Sequence, residues 1–439
     1  MDGKVLQKVV SLIHNVRFGG LPTHYPSIAA WDPAYPDIGK YRSSWAATFN
    51  DYGDRPLGIY LNIPFCKAKC GFCFLDVCPT GGRDDTAAAA AYVKALVNET
   101  EMVARVFKGR KISHVYIGGG TPNTLSAEHL GIILKTLRGS FDLSECRQIS
   151  MESNPDFFDE KKLAVLYENG VTMFLMGIQS FSAEINRANG RCQDVSRIEG
   201  AFGLIRASGI RYINADLLCG LKGQRKEDFL CDVKKLAALR PTQIHLNRIK
   251  PLSGALPRDR RLALESWQKE GLEYLRKEGY TVLDEESVCL EKVRNMQGDY
   301  RFHLDGSLIA LGAGALGHAW GTLRWQNVTA PSVYTAMLAN GRFPAMRGIG
   351  LTPRDELRHY LMNTLLHGIN VKETEVEKKF GRENASLYLS IAEDLEKSGH
   401  LIRKDGGWFC RLGLDDWLPV TAAIYDPEHL EKIARRYKL

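Results

Sequence analysis

The chain has 439 residues, of which 44% are hydrophobic and 25% charged, a composition that excludes global disorder. Its net charge of +7 indicates a mild preference for anionic partners, and no block of like charges forms a basic tail. No stretch approaches the ~18 apolar residues of a membrane span, and the N-terminus lacks the apolar core of a signal peptide. We therefore expect a cytoplasmic protein without a membrane span.

Residues 1–56 are rich in Tyr, Trp, Asp and Pro. Pro26, Pro33 and Pro36 interrupt regular structure, and an opening helix is compatible with the residues before them. The segment is therefore predicted to be an N-terminal extended arm that packs on a larger body through its aromatic side chains.

From residue 57 onwards, short apolar or β-branched runs alternate with segments of helical periodicity. The runs lie at 57–63, 111–117, 147–152, 171–178, 210–218 and 242–249. The helical segments lie at 87–107, 127–141, 159–170 and 195–209. This alternation predicts an α/β domain over residues 57–300 with a parallel sheet, either an open doubly wound sheet or a complete or partial barrel. Reactive side chains should then lie at the carboxyl ends of the strands.

After about residue 300 the pattern changes, and a C-terminal domain is predicted over residues 301–439. Helices are indicated at 354–368, 373–380 and 384–398, and an alternating stretch with a Gly-Gly turn at 400–412 indicates a hairpin. Three helices and a hairpin resemble a winged-helix module of α+β class. The third helix is acidic rather than basic, so nucleic acid is not an expected partner.

Three cysteines lie within eight residues, directly after the first predicted strand. They are Cys66, Cys70 and Cys73. Three thiolates in one loop suit a [4Fe–4S] cluster, and with three ligands instead of four one iron stays open to a chelating ligand. The alternative is a zinc site completed by Cys78, although structural zinc sites usually use two separated pairs of ligands. Lys67 and Lys69 are expected to lower the pKa values of the thiols.

Further polar or glycine-rich features fall at the ends of the other predicted strands. They are Gly118–Gly119–Gly120, Glu152, Gln179 and Asp216. A glycine turn lets a ligand approach the backbone, whose amides can bind a carboxylate and whose carbonyls can bind an amino group. Together with Arg191, the two acids and the amide suit the hydroxyls, amine and carboxylate of a nucleoside–amino-acid hybrid.

Three histidines lie near predicted strand ends or loops, His245, His303 and His318. Each is a candidate proton carrier or haem ligand, although packing in the core or on the surface is the commoner role.

Several motifs together resemble the radical SAM (S-adenosylmethionine) family of oxygen-independent coproporphyrinogen III oxidase. They are Tyr60-Leu-Asn-Ile-Pro-Phe-Cys66-x3-Cys70-x-Phe72-Cys73, Gly118-Gly-Gly-Thr-Pro122, Met176-Gly-Ile-Gln179-Ser-Phe181, Asn214-Ala-Asp216-Leu-Leu-Cys-Gly220-Leu221, Leu311-Gly-Ala-Gly-Ala-Leu316-Gly317 and Arg347-Gly-Ile-Gly-Leu-Thr-Pro-Arg-Asp355. The resemblance runs from about residue 50 to the C-terminus. It implies a partial (β/α)6 barrel followed by the C-terminal domain that covers the substrate in this family.

The resemblance also implies the cofactors. S-adenosylmethionine would chelate the open iron of the cluster, and one electron, from a donor such as flavodoxin or ferredoxin, would cleave it to a 5′-deoxyadenosyl radical. The family's contacts to this first molecule fall on Tyr60, Gly119, Glu152 and Leu316. The family binds a second S-adenosylmethionine beside the first, and those contacts fall on Phe72, Gly120, Thr121, Gln179, Arg191, Asp216 and Lys250.

Two departures from the oxidase bear on the substrate. Phe74 and Leu75 follow Cys73 where the oxidase has a Cys-x-Cys ending, and Asn62 stands where the oxidase has His. These departures favour relatives that use the second S-adenosylmethionine as a methyl or methylene donor to an sp² carbon. The substrate would be an aromatic or tetrapyrrole-like small molecule.

Two alternatives remain. One is a tetrapyrrole enzyme that decarboxylates coproporphyrinogen III or degrades haem anaerobically, with carboxylates bound by Arg191, Arg248 and Lys250. The other is a non-catalytic protein that binds or chaperones haem.

Overall fold

A computed structural model describes residues 1–14, 25–33, 37–53, 55–81, 87–250, 256–290, 305–366, 368–410 and 417–439. The strands are β1 Asp32–Pro33, β2 Leu57–Ile63, β3 Phe65–Cys66, β4 Cys78–Pro79, β5 His114–Gly119, β6 Gln148–Ser153, β7 Met173–Gln179, β8 Tyr212–Cys219, β9 Gln243–Arg248, β10 Thr281–Val282, β11 Ser287–Cys289, β12 Ser307–Leu311, β13 Leu316–Ala319, β14 Leu323–Asn327, β15 Ala345–Gly350, β16 Val371–Lys372, β17 Leu401–Lys404 and β18 Gly407–Cys410. The α-helices are α1 Gly3–Ile13, α2 Ile38–Tyr52, α3 Ala87–Ala104, α4 Ala127–Ser140, α5 Glu160–Glu168, α6 Ala183–Ala188, α7 Arg197–Ala207, α8 Lys226–Ala238, α9 Arg258–Lys277, α10 Pro331–Ala339, α11 Pro353–Leu365, α12 Glu373–Phe380, α13 Arg382–Lys397, α14 Trp417–Ile424 and α15 Pro427–Tyr437. Within those ranges, no helix combines the length and the apolar character that crossing a bilayer requires.

Six parallel strands form the centre of a 13-stranded sheet. β2, β5, β6, β7, β8 and β9 pair in chain order, and at least one helix lies between each strand and the next. Beyond β9 the sheet continues with the antiparallel strands β11 and β10, and beyond β2 with β12. The predicted α/β architecture of six βα units is therefore confirmed, and among the described residues the strand pairing does not close the sheet into a barrel.

The side chains of the central strands alternate sharply between the two faces of the sheet. One face is apolar and fully buried, with Ile117, Met151, Phe174 and Leu217 in the main hydrophobic core. Paired residues of neighbouring parallel strands share a face, so Gly177, Asp216 and His245 lie side by side on the other face. We call this second face, which carries most of the polar side chains, the interior face.

The strands after residue 300 belong to the same sheet. β12 pairs parallel with β2, and β13, β14 and β15 follow as an antiparallel meander. The sheet therefore runs through the predicted boundary at residue 300 as far as Gly350. A second hydrophobic cluster combines Ile349 and residues of the helices that follow it with N-terminal residues between Val9 and Trp31. The division into residues 57–300 and 301–439 stays a prediction.

The C-terminal helices and hairpin form as the sequence predicts. Helices α11, α12 and α13 accompany a three-stranded sheet in the order β16-β18-β17. The Trp408 indole donates a hydrogen bond to Glu396 over 2.8 Å, and the Tyr388 hydroxyl donates one to the Val371 carbonyl over 2.6 Å. These bonds join the hairpin and its neighbouring strand to α13.

The N-terminal segment is less extended than predicted. Its second half is helix α2, which begins after Asp37, whose carboxylate accepts a hydrogen bond from the Lys40 amide over 2.7 Å. Tyr41 and Trp45 lie one turn apart and are buried against the main core. The helix forms because Pro26, Pro33 and Pro36 all precede Asp37, and because the apolar residues after Asp37 have helical spacing. Residues before Asp37 pack on the second cluster, where the Ser27 amide donates to the Tyr425 hydroxyl over 2.8 Å.

A buried carboxylate joins α3 to the turn between β12 and β13. Glu99 is fully buried and accepts hydrogen bonds from the Gly312 amide, the Asn327 amide and the Tyr334 hydroxyl over 2.7, 2.7 and 2.5 Å. Burial raises the pKa of Glu99 to about 7, and the three hydrogen bonds offset only part of that rise.

The Glu99 carboxyl predicts a pH-dependent difference in stability. Because the native pKa exceeds the ordinary value of 4.5, folding favours the protonated form, and ionisation costs stability as the pH rises from about 4.5 to about 7. Glutamine does not ionise, so Glu99→Gln should gain up to about 3 kcal/mol over the wild type between pH 5 and pH 8. Denaturant midpoints of both proteins at both pH values measure this. A difference that is independent of pH would contradict it.

Candidate functional site

The loop that carries the three cysteines is closed at its base by a two-stranded sheet of its own. It follows β2, and its own strands β3 and β4 pair in parallel. The Thr80 amide donates to the Cys66 carbonyl over 2.7 Å, and the Gly71 amide donates to the Asn189 carbonyl over 2.8 Å. Hydrogen bonds therefore hold the loop against the residue that follows α6 and against strand β3.

Burial disfavours the ionised form of two thiols of the loop. Burial is the main cause that raises the pKa of Cys66, to about 11, and the pKa of Cys73. Lys69 lowers the pKa of Cys73 as expected, but burial outweighs its effect. Lys67 is not among the groups that shift the pKa of Cys66 or Cys73, and its ammonium lies 3.4 Å from the Asp156 carboxylate.

The donor set of the loop fits a [4Fe–4S] cluster. All three thiols are half-buried and free, and the Thr121 hydroxyl lies 3.3 Å from Cys66 Sγ. Cys78, the fourth ligand of the zinc alternative, packs its side chain against the main hydrophobic core. Among the described residues, no group of three His, Cys, Asp or Glu side chains is placed to hold a metal ion. The ligand role of the three cysteines therefore stays a prediction.

The glycine turn after β5 is pressed against the start of the cysteine loop. Gly119 has a φ of +108°, and a Cβ at Gly120 would lie 2.4 Å from the Phe65 carbonyl oxygen. The amides of Gly119, Gly120 and Thr121 donate to Glu152, to Ile63 and to Phe65, respectively. Because these amides are already used, the carbonyls rather than the amides of the turn remain for a ligand.

Three of the four predicted contacts to the first S-adenosylmethionine lie together. Glu152 accepts hydrogen bonds from the Tyr116 hydroxyl over 2.5 Å and from the Gly119 amide over 2.9 Å. Tyr60 stacks on Tyr116 with 5.9 Å between ring centroids. The fourth, Leu316, begins β13 and packs beside the second hydrophobic cluster.

The residues predicted for the second S-adenosylmethionine divide into two groups. Gln179, Arg191 and Asp216 meet around the end of β7, where Arg191 donates to the Gly177 carbonyl and Gly177 pairs with Asp216. The others lie further out. Gly120 and Thr121 belong to the glycine turn, Phe72 is half-buried in the cysteine loop, and Lys250 is exposed after β9.

Gln179 has the most unusual backbone of this group. It is the last residue of β7, beside a register shift, and its φ is +69°. Its side-chain oxygen is buried, and no described residue donates a hydrogen bond to it. A non-glycine residue in this conformation and an unsatisfied buried acceptor both point to a functional position.

Arg191 is the positive charge nearest to these groups. Its Nε donates to Gln193 over 2.8 Å, and its Nη1 lies 3.9 Å from Cys70 Sγ. Burial raises the pKa of Asp216, while His245 and Arg191 lower it. The guanidinium therefore links the cysteine loop to the interior face electrostatically.

Sequence reasoning missed a row of polar residues on the interior face. Asn214 pairs with Gln243 and lies 3.2 Å from the His245 ring, and Ser287 pairs with His245 on the next strand. The Asn214 and Ser287 side-chain oxygens are buried without a hydrogen-bond partner among the described residues. The signal was present in the alternation of polar and apolar residues along 212–219 and 243–248.

The three basic residues predicted to bind carboxylates offer less unpaired positive charge than expected. Arg248 donates to Glu265 over 2.8 Å, and Arg191 is occupied by Gln193 and Gly177. Of the three predicted basic residues, Lys250 alone is exposed.

The other histidine candidates differ in position. His318 is buried and its Nε2 lies 2.7 Å from the Glu356 carboxylate, and burial lowers its pKa, an arrangement typical of a packed hydrogen bond. His303 lies outside the described residues. Of the two candidates that lie within the described residues, His245 is the one on the interior face beside Asp216.

Comparisons with known proteins agree with this geometry. Residues 61–236 match the model of the radical SAM superfamily. The oxygen-independent coproporphyrinogen III oxidase of Paracoccus denitrificans is 28% identical over 413 residues, which cover 87% of this chain and 88% of that protein. The Escherichia coli K12 enzyme of the same name is 28% identical over 376 residues, with 81% and 80% covered.

A solved structure shares the fold. The coproporphyrinogen III oxidase of Escherichia coli, described as a radical SAM enzyme, superposes with a TM-score of 0.75 at 22% identity. The match covers 92% of this chain and 95% of that one. Radical SAM proteins use a [4Fe–4S] cluster and S-adenosylmethionine and take electrons from a reductant. The chain therefore carries a radical SAM domain over residues 61–236, and over most of its length it is similar to oxygen-independent coproporphyrinogen III oxidases.

Proposed function

We propose that this radical SAM enzyme binds two S-adenosylmethionine molecules and transfers a methyl or methylene group from the second. The acceptor would be an sp² carbon of an aromatic or tetrapyrrole-like small molecule. The observation that carries the proposal is the meeting of Gln179, Arg191 and Asp216 on the interior face, where the Gln179 side-chain oxygen has no donor within the described chain.

The cluster would be held by Cys66, Cys70 and Cys73, and with the first S-adenosylmethionine it supplies a carbon radical when both are bound. Glu152 is oriented by Tyr116 and Gly119, so that a fixed carboxylate faces the ribose or amine of the first molecule. Asp216 and Gln179 offer acceptors to the amine of the second, and Arg191 offers a donor to its carboxylate.

Two features support carbon transfer over coproporphyrinogen decarboxylation. Asn62 cannot carry a proton as the oxidase's histidine can, and both ends of its amide are engaged, by Tyr60 and by Ala313. Arg248 is neutralised by Glu265, which leaves less positive charge for propionate groups.

The second candidate is the tetrapyrrole enzyme. It is favoured by the relatives reported above, which are named coproporphyrinogen III oxidases and match most of this chain. Haem degradation and haem carriage share its ligand class, and His245 is the histidine placed to contact such a ligand.

The electron donor, a flavodoxin or ferredoxin, would dock where the cysteine loop reaches the surface. Phe74 and Leu75 are 48% and 37% exposed directly after Cys73, and Lys69 is also exposed. An apolar contact beside a positive charge suits the acidic surface of such a donor.

The ligand assignment predicts which cysteine substitutions remove the cluster. After anaerobic reconstitution, Cys66→Ala should lose the brown absorbance of the [4Fe–4S] cluster, because two thiolates remain for four irons. Cys78→Ala should keep it, since Cys78 packs on the hydrophobic core. Iron and sulfide content give the same answer independently. A full cluster in Cys66→Ala would contradict the assignment.

The two-molecule proposal predicts the products. With reductant and an acceptor for the transferred carbon, the wild type should yield 5′-deoxyadenosine and S-adenosylhomocysteine, measured by mass spectrometry. Asp216→Asn removes a charged acceptor and should lower S-adenosylhomocysteine about 10-fold or more, while cleavage of the first molecule continues. Asp51→Asn, at an exposed position of α2, is the control.

Deoxyadenosine without homocysteine from the wild type would contradict carbon transfer and favour the tetrapyrrole enzyme. Anaerobic assays with coproporphyrinogen and with haem then test that candidate directly.

A further inference from the structure

We infer that Glu99, outside the candidate site, is a positioning residue for the first S-adenosylmethionine. It fixes the turn at Gly312 and Ala313 and, through Asn62, the Tyr60 side chain. The inference rests on the proposed function, because Tyr60 is a predicted contact of that molecule.

The Glu99 carboxylate accepts hydrogen bonds from three separate segments of the chain. Its Oε2 accepts from the Gly312 amide in the turn and from the Tyr334 hydroxyl on α10. Its Oε1 accepts from the Asn327 amide at the end of β14. Since Glu99 is 0% exposed, it cannot contact a ligand itself, and its effect must pass through the groups that it holds.

The turn that Glu99 binds also orients Asn62. The Ala313 carbonyl accepts from Asn62 Nδ2 over 2.6 Å. The Ala313 amide donates to the Tyr92 hydroxyl, which donates to the Asn62 carbonyl, each over 2.8 Å. Hydrogen bonds therefore join both parts of Asn62 to the turn, the side chain directly and the backbone carbonyl through Tyr92.

Asn62 passes this constraint to the interior face. With Nδ2 committed to Ala313, its Oδ1 accepts from the Tyr60 hydroxyl over 2.9 Å. Tyr60 stacks on Tyr116, whose hydroxyl orients Glu152. One buried carboxylate on α3 is thus connected to two predicted contacts of the first S-adenosylmethionine.

Close contacts leave little room for movement along this chain of hydrogen bonds. Gly312 has a φ of +97°, and a Cβ there would lie 2.4 Å from the Asn62 carbonyl oxygen and 2.7 Å from the Tyr92 hydroxyl. A turn in such close contact cannot move without displacing Asn62. The ionisable side chains that face Glu99 are Tyr41, Tyr92 and Tyr334, none of which titrates near neutral pH.

The test measures binding of S-adenosylmethionine by calorimetry to reconstituted protein without reductant. Glu99→Leu removes every acceptor and should weaken binding at least 10-fold. Glu99→Gln keeps an acceptor for the Gly312 amide and should restore binding to within about threefold of the wild type. Thr100→Val, which removes a buried hydroxyl bonded only to Leu96 of the same helix, should leave binding unchanged.

A second readout needs no cofactor. Hydrogen–deuterium exchange of the cofactor-free chain should be faster at residues 312–316 in Glu99→Leu than in the wild type, with β6 and β7 unchanged. If Glu99→Leu does not fold, Tyr334→Phe, which removes one donor, replaces it and should weaken binding more than twofold.

Folded Glu99→Leu, or Tyr334→Phe in its place, with wild-type affinity would overturn this inference alone. Equal weakening in Glu99→Leu and Glu99→Gln would overturn it as well, because the retained acceptor would then be irrelevant. A wild-type cluster protein that binds no S-adenosylmethionine would overturn the proposed function together with it.

Discussion

The parallel pairing of the central strands, which sets polar residues side by side on one face, is the constraint on which the site depends. Parallel sheets are usually apolar on both faces because helices or packed side chains cover them. Here Asp216, His245 and Asn214 occupy positions that an ordinary core would fill with Val or Leu. Buried polar atoms without partners destabilise a fold. Among the described residues, the side-chain oxygens of Gln179, Asn214 and Ser287 are such atoms, which favours an interior completed by a ligand.

The cysteine loop depends on the same sheet. β2 delivers Pro64 and Cys66 to the edge at which the glycine turn of β5 ends, and Gly120 can approach the Phe65 carbonyl because it has no side chain. The amides of the turn also donate hydrogen bonds to the loop and to Glu152. The cluster loop and the carboxylate are therefore positioned by one turn, and neither can shift independently of the other.

The sequence located the six central strands to within a few residues, because period-two apolar runs between helical segments are a strong signal. It did not indicate β12–β15, which are short and of which β12 pairs with the distant strand β2, or helix α2, which follows a segment rich in proline. Glu152, Gln179 and Asp216 could be named from strand-end placement and resemblance. Their partners could not: Tyr116 on Glu152 and Glu265 on Arg248 depend on tertiary contacts.

Charge balance explains what the site requires of its ligands. Burial raises the pKa values of Cys66, Cys73 and Asp216, so each of them ionises less readily in the protein alone than in water. Arg191 is the cation that lies among them, and it is shared with Gln193 and the Gly177 carbonyl. Iron binding makes the thiolates stable by displacing their protons, and a cationic sulfonium or ammonium group does the same for Asp216. The anionic groups of the site therefore call for positive ligands on both the loop and the interior face, and a cluster with bound S-adenosylmethionine supplies positive charge to each.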